Sequence, residues 1–407
     1  MSSCAQLVKA HQKSSALSLR ETLQDSKHSV KTLTIGILGG GQLARMTSYA
    51  ALRFGFQVAI FERVANSPAA QVSHLNFVGE WHDEARLAEF ARVCNIITLE
   101  NEFVDASVLH HLQLLGTPVY PTAETLACIQ DKLIQKQTLQ AAGVEVAPFQ
   151  SISSKADAQA FAEKHGYPFL LKARREGYDG YGNRTVSSEV EIEPAMTALG
   201  FPKRLLMVEA FVKFEAELAT MVARNTQGEM VVYPVVETLQ ENHICKAVKA
   251  PAPFAPDILE RAANVARKAI MVINGVGIFG VEMFLCADGQ VLINELAPRP
   301  HNSGHYTIEA CVTSQFENHL RAILGYPLGS PEMLTKAAVM VNLLGKRNAP
   351  VELSSLPCAL QYPHAKVHIY GKADSRIGRK MGHVTVVGNS MQECWHHAQA
   401  AAAAIEI

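Results

Sequence analysis

Apolar positions along the chain change their period several times, and each change marks an element. TLTIGIL (32–38) is an apolar, β-rich run, GGGQLARM follows it, a helical pattern runs through Phe54, and QVAIF (57–61) is apolar again. Strand, glycine turn, helix and strand make a βαβ unit. RLAEFARV then reads as helix, NIITL as strand and ASVLHHLQLL as helix, so residues 31–128 are expected to form an α/β domain on a parallel sheet. A helix over 131–143 leads out of it, with Gly143 suited to its C-terminal end and Pro148 barring continuation.

The next segment mixes the two periods. Residues 150–203 read as a compact α+β subdomain: a helix at 155–165, the strand PFLLKAR (168–174), a glycine-rich loop and a short strand near 184–186. Strands are expected at 205–211, 216–224 and 229–236, a helix at 256–273, a strand pair in GIFGVEMFLCADGQVLINEL and a helix near 312–324. These elements give a second domain, 129–330, and a small C-terminal domain, 331–407. Residues 1–30 are rich in Ser and basic residues and lack the apolar core of a signal peptide; they read as a flexible leader or a weak targeting peptide.

Composition adds limits. The 407 residues are 48% hydrophobic and 18% charged, as in a soluble enzyme with a substantial core. A net charge of −1 gives no bulk attraction to nucleic acid or acidic lipid. No apolar run approaches the roughly 18 residues of a membrane helix. Eight cysteines from Cys4 to Cys394 include no C-x-x-C pair, which fits free thiols in a reducing cytoplasm.

Five stretches carry candidate chemistry. GGGQLA (39–44), with Glu62 ending the next strand, aims backbone N–H groups at an anion; a dinucleotide, another phosphate ligand or a bare tight turn all satisfy it. KARREGYDGYGN (172–183) sets Lys172 before a glycine-rich loop that can fold over phosphates, although a plain hairpin loop would look the same. VEAFVKFEAE (208–217) is an apolar strand with Glu209, and Glu217 follows; a solvated strand or an adenine and ribose contact both fit it. Asp288-Gly289 signals a two-residue hairpin. Regular pairing from that turn sets Leu285 opposite Leu292, Phe284 opposite Ile293 and Glu282 opposite Glu295. Facing carboxylates in an apolar sheet must share a proton or bind a cation, and Mg²⁺ suits their oxygens together with Asn294 and a phosphate. A one-residue slip would instead put the two acids on opposite faces. Finally, GRKMGHVTV (378–386) supplies Arg379 and Lys380 beside Lys372 and Arg376, either a solvated basic face or a seat for a phosphate monoester.

Taken in order, these stretches resemble the ATP-grasp superfamily of carboxylate–amine ligases, and within it the 5-(carboxyamino)imidazole ribonucleotide synthase family. ILGGGQLARM, DKLIQKQ, LKARREGYDGYGN, INELAPRPHNSGH, TSQFENHLRAILG and GRKMGHVTV carry the likeness, which runs from about Leu33 to Val387. It implies an ATP-grasp fold with an N-terminal Rossmann-like domain and a small C-terminal domain. The implied reaction is carboxylation of 5-aminoimidazole ribonucleotide by bicarbonate through carboxyphosphate, with ATP and Mg²⁺ (Mn²⁺ as a substitute) and a cytoplasmic homodimer.

The resemblance also implies roles. ATP would be held by Lys132 and Lys172, by the loop residues Gly177, Tyr178, Asp179, Gly180, Tyr181, Gly182 and Asn183, by Glu209, Ala210, Phe211 and Val212 at adenine, by Glu217 at ribose, and by Gln240, Asn294 and Glu295. Glu282 and Glu295 would bind the metal. Arg299 and His301 would handle bicarbonate and carboxyphosphate, with Lys380 beside them. Gly41, Gln42, Leu43, Glu100, Tyr178, Arg379 and Lys380 would contact the nucleotide substrate. Three positions depart from the family pattern. Tyr181 stands where a basic residue is usual, so a phosphate contact would move, with Arg174 the nearest substitute. TLENEF (98–103) exchanges a Phe and an Asn while keeping Glu100 and Glu102. Gln240 replaces a histidine, with His243 close by.

Other readings are a formate-dependent glycinamide ribonucleotide transformylase of the same superfamily, an NAD-dependent dehydrogenase on the first domain, and a non-catalytic nucleotide-binding module. EGYDGYGN and the second histidine of HNSGH separate the carboxylating family from the transformylase. The dehydrogenase leaves Lys172, Glu282 and Glu295 without a role.

Overall fold

The computed structural model describes residues 32–177, 182–241 and 244–407. The leader therefore lies outside the described residues, as do Tyr178, Asp179, Gly180, Tyr181 and His243.

Four parallel strands build the first domain, in the order Leu75–Val78, Gln57–Glu62, Thr34–Leu38 and Ile96–Leu99. Thr34–Leu38 is buried along its whole length, which explains its unbroken apolar run. The edge strand Leu75–Val78 was not expected; its residues are largely exposed and carry no strong pattern. The glycine turn, Glu62 and Glu100 all sit at the carboxyl ends of these strands, where open α/β sheets bind ligands.

A second, larger sheet is antiparallel throughout. Its order is Val291–Ala297, Gly277–Cys286, Phe214–Arg224, Val236–Glu241, Ile244–Ala250, Ala337–Leu344, Lys380–Gly388 and Ala365–Ile369. Pairing of Lys249 with Val339 carries this sheet across residue 331, so the second and C-terminal domains share one continuous sheet. The strand expected at 229–236 is two strands, Met230–Val232 and Val236–Glu241, because Pro234 cannot donate to a ladder. A four-stranded sheet of Phe149–Ile152, Leu206–Ala210, Phe169–Ala173 and Asn183–Val186 forms the smaller subdomain, so its core reaches beyond residue 203.

Two helices sandwich the large sheet. Pro256–Val272 places Ala262, Ala266, Ala269 and Ile270 against Leu218, Phe279 and Val281. On the other side, Gln315–Ile323 joins both domains. Its Phe316, Leu320 and Ile323 share a core with Leu43, Ala44 and Ile60 of the first domain. Burial of this helix on several sides fixes the carboxyl edge of the parallel sheet over the end of the strand pair that carries Glu295.

Candidate active site

The strand pair meets the expected facing of Glu282 and Glu295 by a different route. The turn is a three-residue loop, Ala287 to Gly289, closed by Cys286 N–H to the Gln290 carbonyl at 2.9 Å and by Gly289 N–H to the Cys286 carbonyl at 2.9 Å. Gly289 takes the left-handed conformation (φ 80°) that such loops need. Leu285 therefore faces Val291, Phe284 faces Leu292 and Met283 faces Ile293, one residue off the regular expectation. A bulge at Asn294 then restores the register, and Glu282 pairs with Glu295. Burial, then Glu295, then Glu217 push the Glu282 carboxyl up to about 7.

Cations surround this pair. Lys132, first residue of the helix Lys132–Ala141, donates to Glu295 Oε1 at 2.7 Å. Burial opposes its charge, but Glu295, then Glu209 and Glu102, outweigh it and hold the ammonium above the usual lysine range. His301 Nε2 lies 3.5 Å from Glu282 Oε1. Two facing carboxylate oxygens that already attract an ammonium are a donor set for a hard divalent cation.

The loop after the strand pair is tightly held. Gln315 clamps His301, accepting from its N–H at 2.9 Å and donating to its carbonyl at 2.9 Å. Gly280 lies under the ring, where an added Cβ would come within 2.5 Å of the His301 Cβ. Ser303 N–H and Oγ both face His301 Nδ1, at 3.4 and 2.9 Å, leaving Nε2 toward Glu282. Burial, then Arg299 and Lys380, hold the imidazole well below its ordinary range, so the ring is neutral. Arg299 forks onto both oxygens of Glu102, with Nη2 to Oε1 at 2.7 Å. Burial disfavours both charges, yet each sustains the other, raising Arg299 and lowering Glu102.

The glycine turn departs from its anion-binding expectation. Gly40 N–H donates to Glu62 at 2.9 Å, and Gly41 and Ala44 N–H donate to Glu100 at 2.9 and 3.4 Å. Two protein carboxylates thus occupy the donors that a phosphate would use, and a bound phosphate there would meet like charge. Glu62 thus caps this turn. Burial raises the Glu100 carboxyl despite these bonds and nearby Arg299. What this end offers a ligand is a carboxylate acceptor, suited to hydroxyl or amine hydrogens.

Lys172 is buried with Lys136 around one oxygen of Glu209, at 3.2 and 3.1 Å. Glu209 therefore turns its carboxylate inward, although its strand still leads to Phe211 and Val212 at the junction of the two sheets. Burial lowers Lys136 despite Glu209. Lys136 was not anticipated, but it follows Lys132 by four residues and shares its helix face. Arg174, the substitute named for a phosphate contact, has its guanidinium forked onto Asp131 at 3.0 and 2.6 Å, and Asp131 also caps the Lys132 helix. A cleft of about 330 Å³ runs past Glu102, Gln130, Lys132, Arg175, Gly177 and Glu295. Glu217 faces Thr238 across its strand and is near enough to raise Glu282. Gln240, two residues beyond Thr238, is exposed.

At the far end, Lys372 donates to the Lys380 carbonyl at 2.7 Å. Burial, then Arg379, bring its ammonium down to about 8, with Glu100 opposing and Lys380 adding. Lys380 also acts on Glu282 and His301. Arg379 donates to the Asp374 carbonyl at 2.8 Å. Lys372, named in the basic run without a role of its own, is partly buried, which distinguishes it from a fully solvated charge.

A cleft that holds Lys132 beside a facing carboxylate pair, bordered by Arg175 to Gly177 of the smaller subdomain and joined to a Rossmann-like domain, defines an ATP-grasp ligase. The chain matches a ribonucleotide synthetase preATP-grasp domain over residues 32–130, an ATP-grasp domain over 137–316 and a phosphoribosylaminoimidazole carboxylase C-terminal domain over 338–397. It belongs to the N5-carboxyaminoimidazole ribonucleotide synthase family: the Bacillus subtilis synthase is 40% identical over 352 residues, covering 86% of this chain and 90% of that protein. The phosphoribosylaminoimidazole carboxylase of Ogataea methanolica is 43% identical over 371 residues, 89% of this chain and 67% of that protein. The chain thus spans about two thirds of the length of the fungal and plant carboxylases it matches. Among solved structures, the Aspergillus clavatus N5-carboxyaminoimidazole synthase in complex with ADP and 5-aminoimidazole ribonucleotide superposes with a TM-score of 0.84 at 36% identity, covering 92% of this chain and 98% of that one. Among the described residues no helix is long and apolar enough to cross a membrane.

Proposed function

We propose that the chain carboxylates 5-aminoimidazole ribonucleotide with bicarbonate at the expense of ATP, giving 5-(carboxyamino)imidazole ribonucleotide, ADP and phosphate in purine biosynthesis. The observation that carries this reading is the placement of Arg299 and a neutral His301 beside the Glu282–Glu295 pair and Lys132. An anion held by Arg299 and His301 lies next to the place where the terminal phosphate of ATP meets the carboxylates.

Bicarbonate is a poor electrophile, and phosphorylation gives it a leaving group. A bicarbonate oxygen attacks the γ-phosphorus and ADP departs, forming carboxyphosphate. The exocyclic amine then bonds to the carboxyl carbon, phosphate leaves and the nitrogen loses a proton. Arg299 holds the anion through its charge, and its fork on Glu102 fixes the guanidinium plane. His301 has Nδ1 facing Ser303, so Nε2 carries the hydrogen and donates to an oxygen without adding charge. Lys132 and Lys172 neutralise ATP phosphates. Glu282 and Glu295 would hold Mg²⁺ or Mn²⁺, which would screen the phosphate charge. Glu209 to Val212 and Glu217 are read as the nucleoside contacts.

The carboxylate at the glycine turn supports an amine or hydroxyl contact there, with the substrate phosphate at Lys372, Arg379 and Lys380. The carboxylase-type C-terminal match favours this substrate over the formate-activating alternative. Free thiols at all seven described cysteines support a cytoplasmic setting, and family likeness supports a homodimer. Bicarbonate labelled with heavy oxygen tests the chemistry: label should appear in the released phosphate, and its absence would refute phosphorylation of bicarbonate.

A further inference from the structure

A second cluster of potential metal ligands lies where the C-terminal domain meets the second domain, outside the carboxylate pair. His368 and His383 face each other on the paired strands Ala365–Ile369 and Lys380–Gly388. Their rings stack with centroids 4.4 Å apart and planes 10° apart. Glu309, on the short helix Thr307–Ala310, completes the group, with Oε1 2.7 Å from His368 Nε2. One donor atom from each of the three residues lies within 4.8 Å of the other two. Two polar atoms here, His383 Nε2 and Glu309 Oε2, are buried and have no hydrogen-bond partner. His383 itself has no exposed surface. An unpaired buried polar atom is costly, and two within one such cluster point to a shared occupant.

We propose that Glu309, His368 and His383 form a binding site for a divalent transition-metal ion of the Zn²⁺ class. Two imidazole nitrogens and one carboxylate suit such an ion far better than Mg²⁺, which prefers an all-oxygen shell. The ion takes the place of the proton shared between His368 and Glu309, so binding releases that proton. Tyr370 Oη lies 2.9 Å from His383 Nδ1. In the tautomer with hydrogen on Nδ1, Tyr370 Oη accepts it and the Nε2 lone pair is left for the ion, as outer partners of metal-bound histidines do. The neutral state of His383, enforced by burial and then by His305 and His368, agrees with a ligand role. His368 keeps 27% of its side-chain surface and gives the ion a way in. An ion bound there ties the strand that begins at Lys380 to the helix just after the Arg299–His301 loop.

The test uses full-length protein stripped with chelator and then supplied with excess Mg²⁺ to fill the phosphate-side carboxylates. Zn²⁺ is titrated by calorimetry and Co²⁺ by visible absorption. One ion per chain is expected, with the bands of a nitrogen–oxygen site and no sulfur charge-transfer band. His368→Gln, at a partly exposed position, should weaken binding by about a hundredfold, and Tyr370→Phe by about tenfold. Both should keep the metal-free circular dichroism spectrum of the parent. No binding, binding unchanged in His368→Gln, or a sulfur band would each overturn the assignment; water alone at the site would appear as no binding.

Discussion

Glu282 faces Glu295 only because the second strand bulges at Asn294. The loop at Gly289 sets the outer rungs one residue off, and the bulge removes that offset just where the carboxylates must meet. A regular ladder after the same loop would place Glu282 opposite Asn294 and dissolve the pair. Bulges at such places re-aim side chains, and this one builds the acidic pair.

That pairing makes metal-free stability depend on pH. The Glu282 carboxyl is raised from its ordinary 4.5 to about 7. Between those values the folded chain keeps a proton that the unfolded chain has released. Stability from this group is therefore full below the ordinary value and is lost as pH rises through about 7. Mg²⁺ binds the ionised pair, so its affinity should tighten over the same interval and level off above it. Glu282→Gln should flatten the pH dependence of metal-free stability and weaken Mg²⁺ binding, both measurable by thermal unfolding and calorimetry.

Glu209 pairs with two buried lysines, Lys136 and Lys172, whose side chains are 3% and 9% exposed. Glu209→Gln leaves both ammonium groups without a counter-ion and should cost roughly 3–5 kcal/mol of stability in urea unfolding. Lys136→Met keeps the Glu209–Lys172 pair and should cost clearly less. Equal losses would show that Lys136 matters as much as the carboxylate.

Arg299→Lys retains a charge but cannot fork onto both oxygens of Glu102. Turnover should fall by about a hundredfold or more while ATP affinity stays near the parent value. Steady-state kinetics with nucleotide-binding calorimetry separates the two effects.

Lys372 titrates near the working pH. With its ammonium brought down to about 8, kcat/KM for the nucleotide substrate should decline as pH rises through that value. Lys372→Arg, which stays charged, should push the decline to higher pH. A parent profile flat to well above 8 would remove Lys372 from substrate binding.

Much of this organisation was legible in the chain. Buried parallel strands read clearly because both faces are covered, as in Thr34–Leu38, and the family likeness is carried by motifs spread over the first, second and C-terminal domains. The Glu282–Glu295 pair was anticipated, although through a regular hairpin that the molecule does not have; loop and bulge errors cancelled. The glycine turn was misleading because Glu62 and Glu100, 22 and 59 residues away, fill its donors. Lys136 and Lys372 lacked a signal of their own, since only burial separates them from surface lysines. The His368–His383 stack depends on cross-strand register between segments whose sequences show no metal motif.

ATP cleavage by this chain should be gated by its substrates. Purified protein supplied with ATP and Mg²⁺ is assayed for phosphate release with 5-aminoimidazole ribonucleotide and bicarbonate, each alone, and with glycinamide ribonucleotide plus formate. Release only with the first pair together is the predicted result. Equal release with glycinamide ribonucleotide and formate would rule out specific carboxylation of 5-aminoimidazole ribonucleotide.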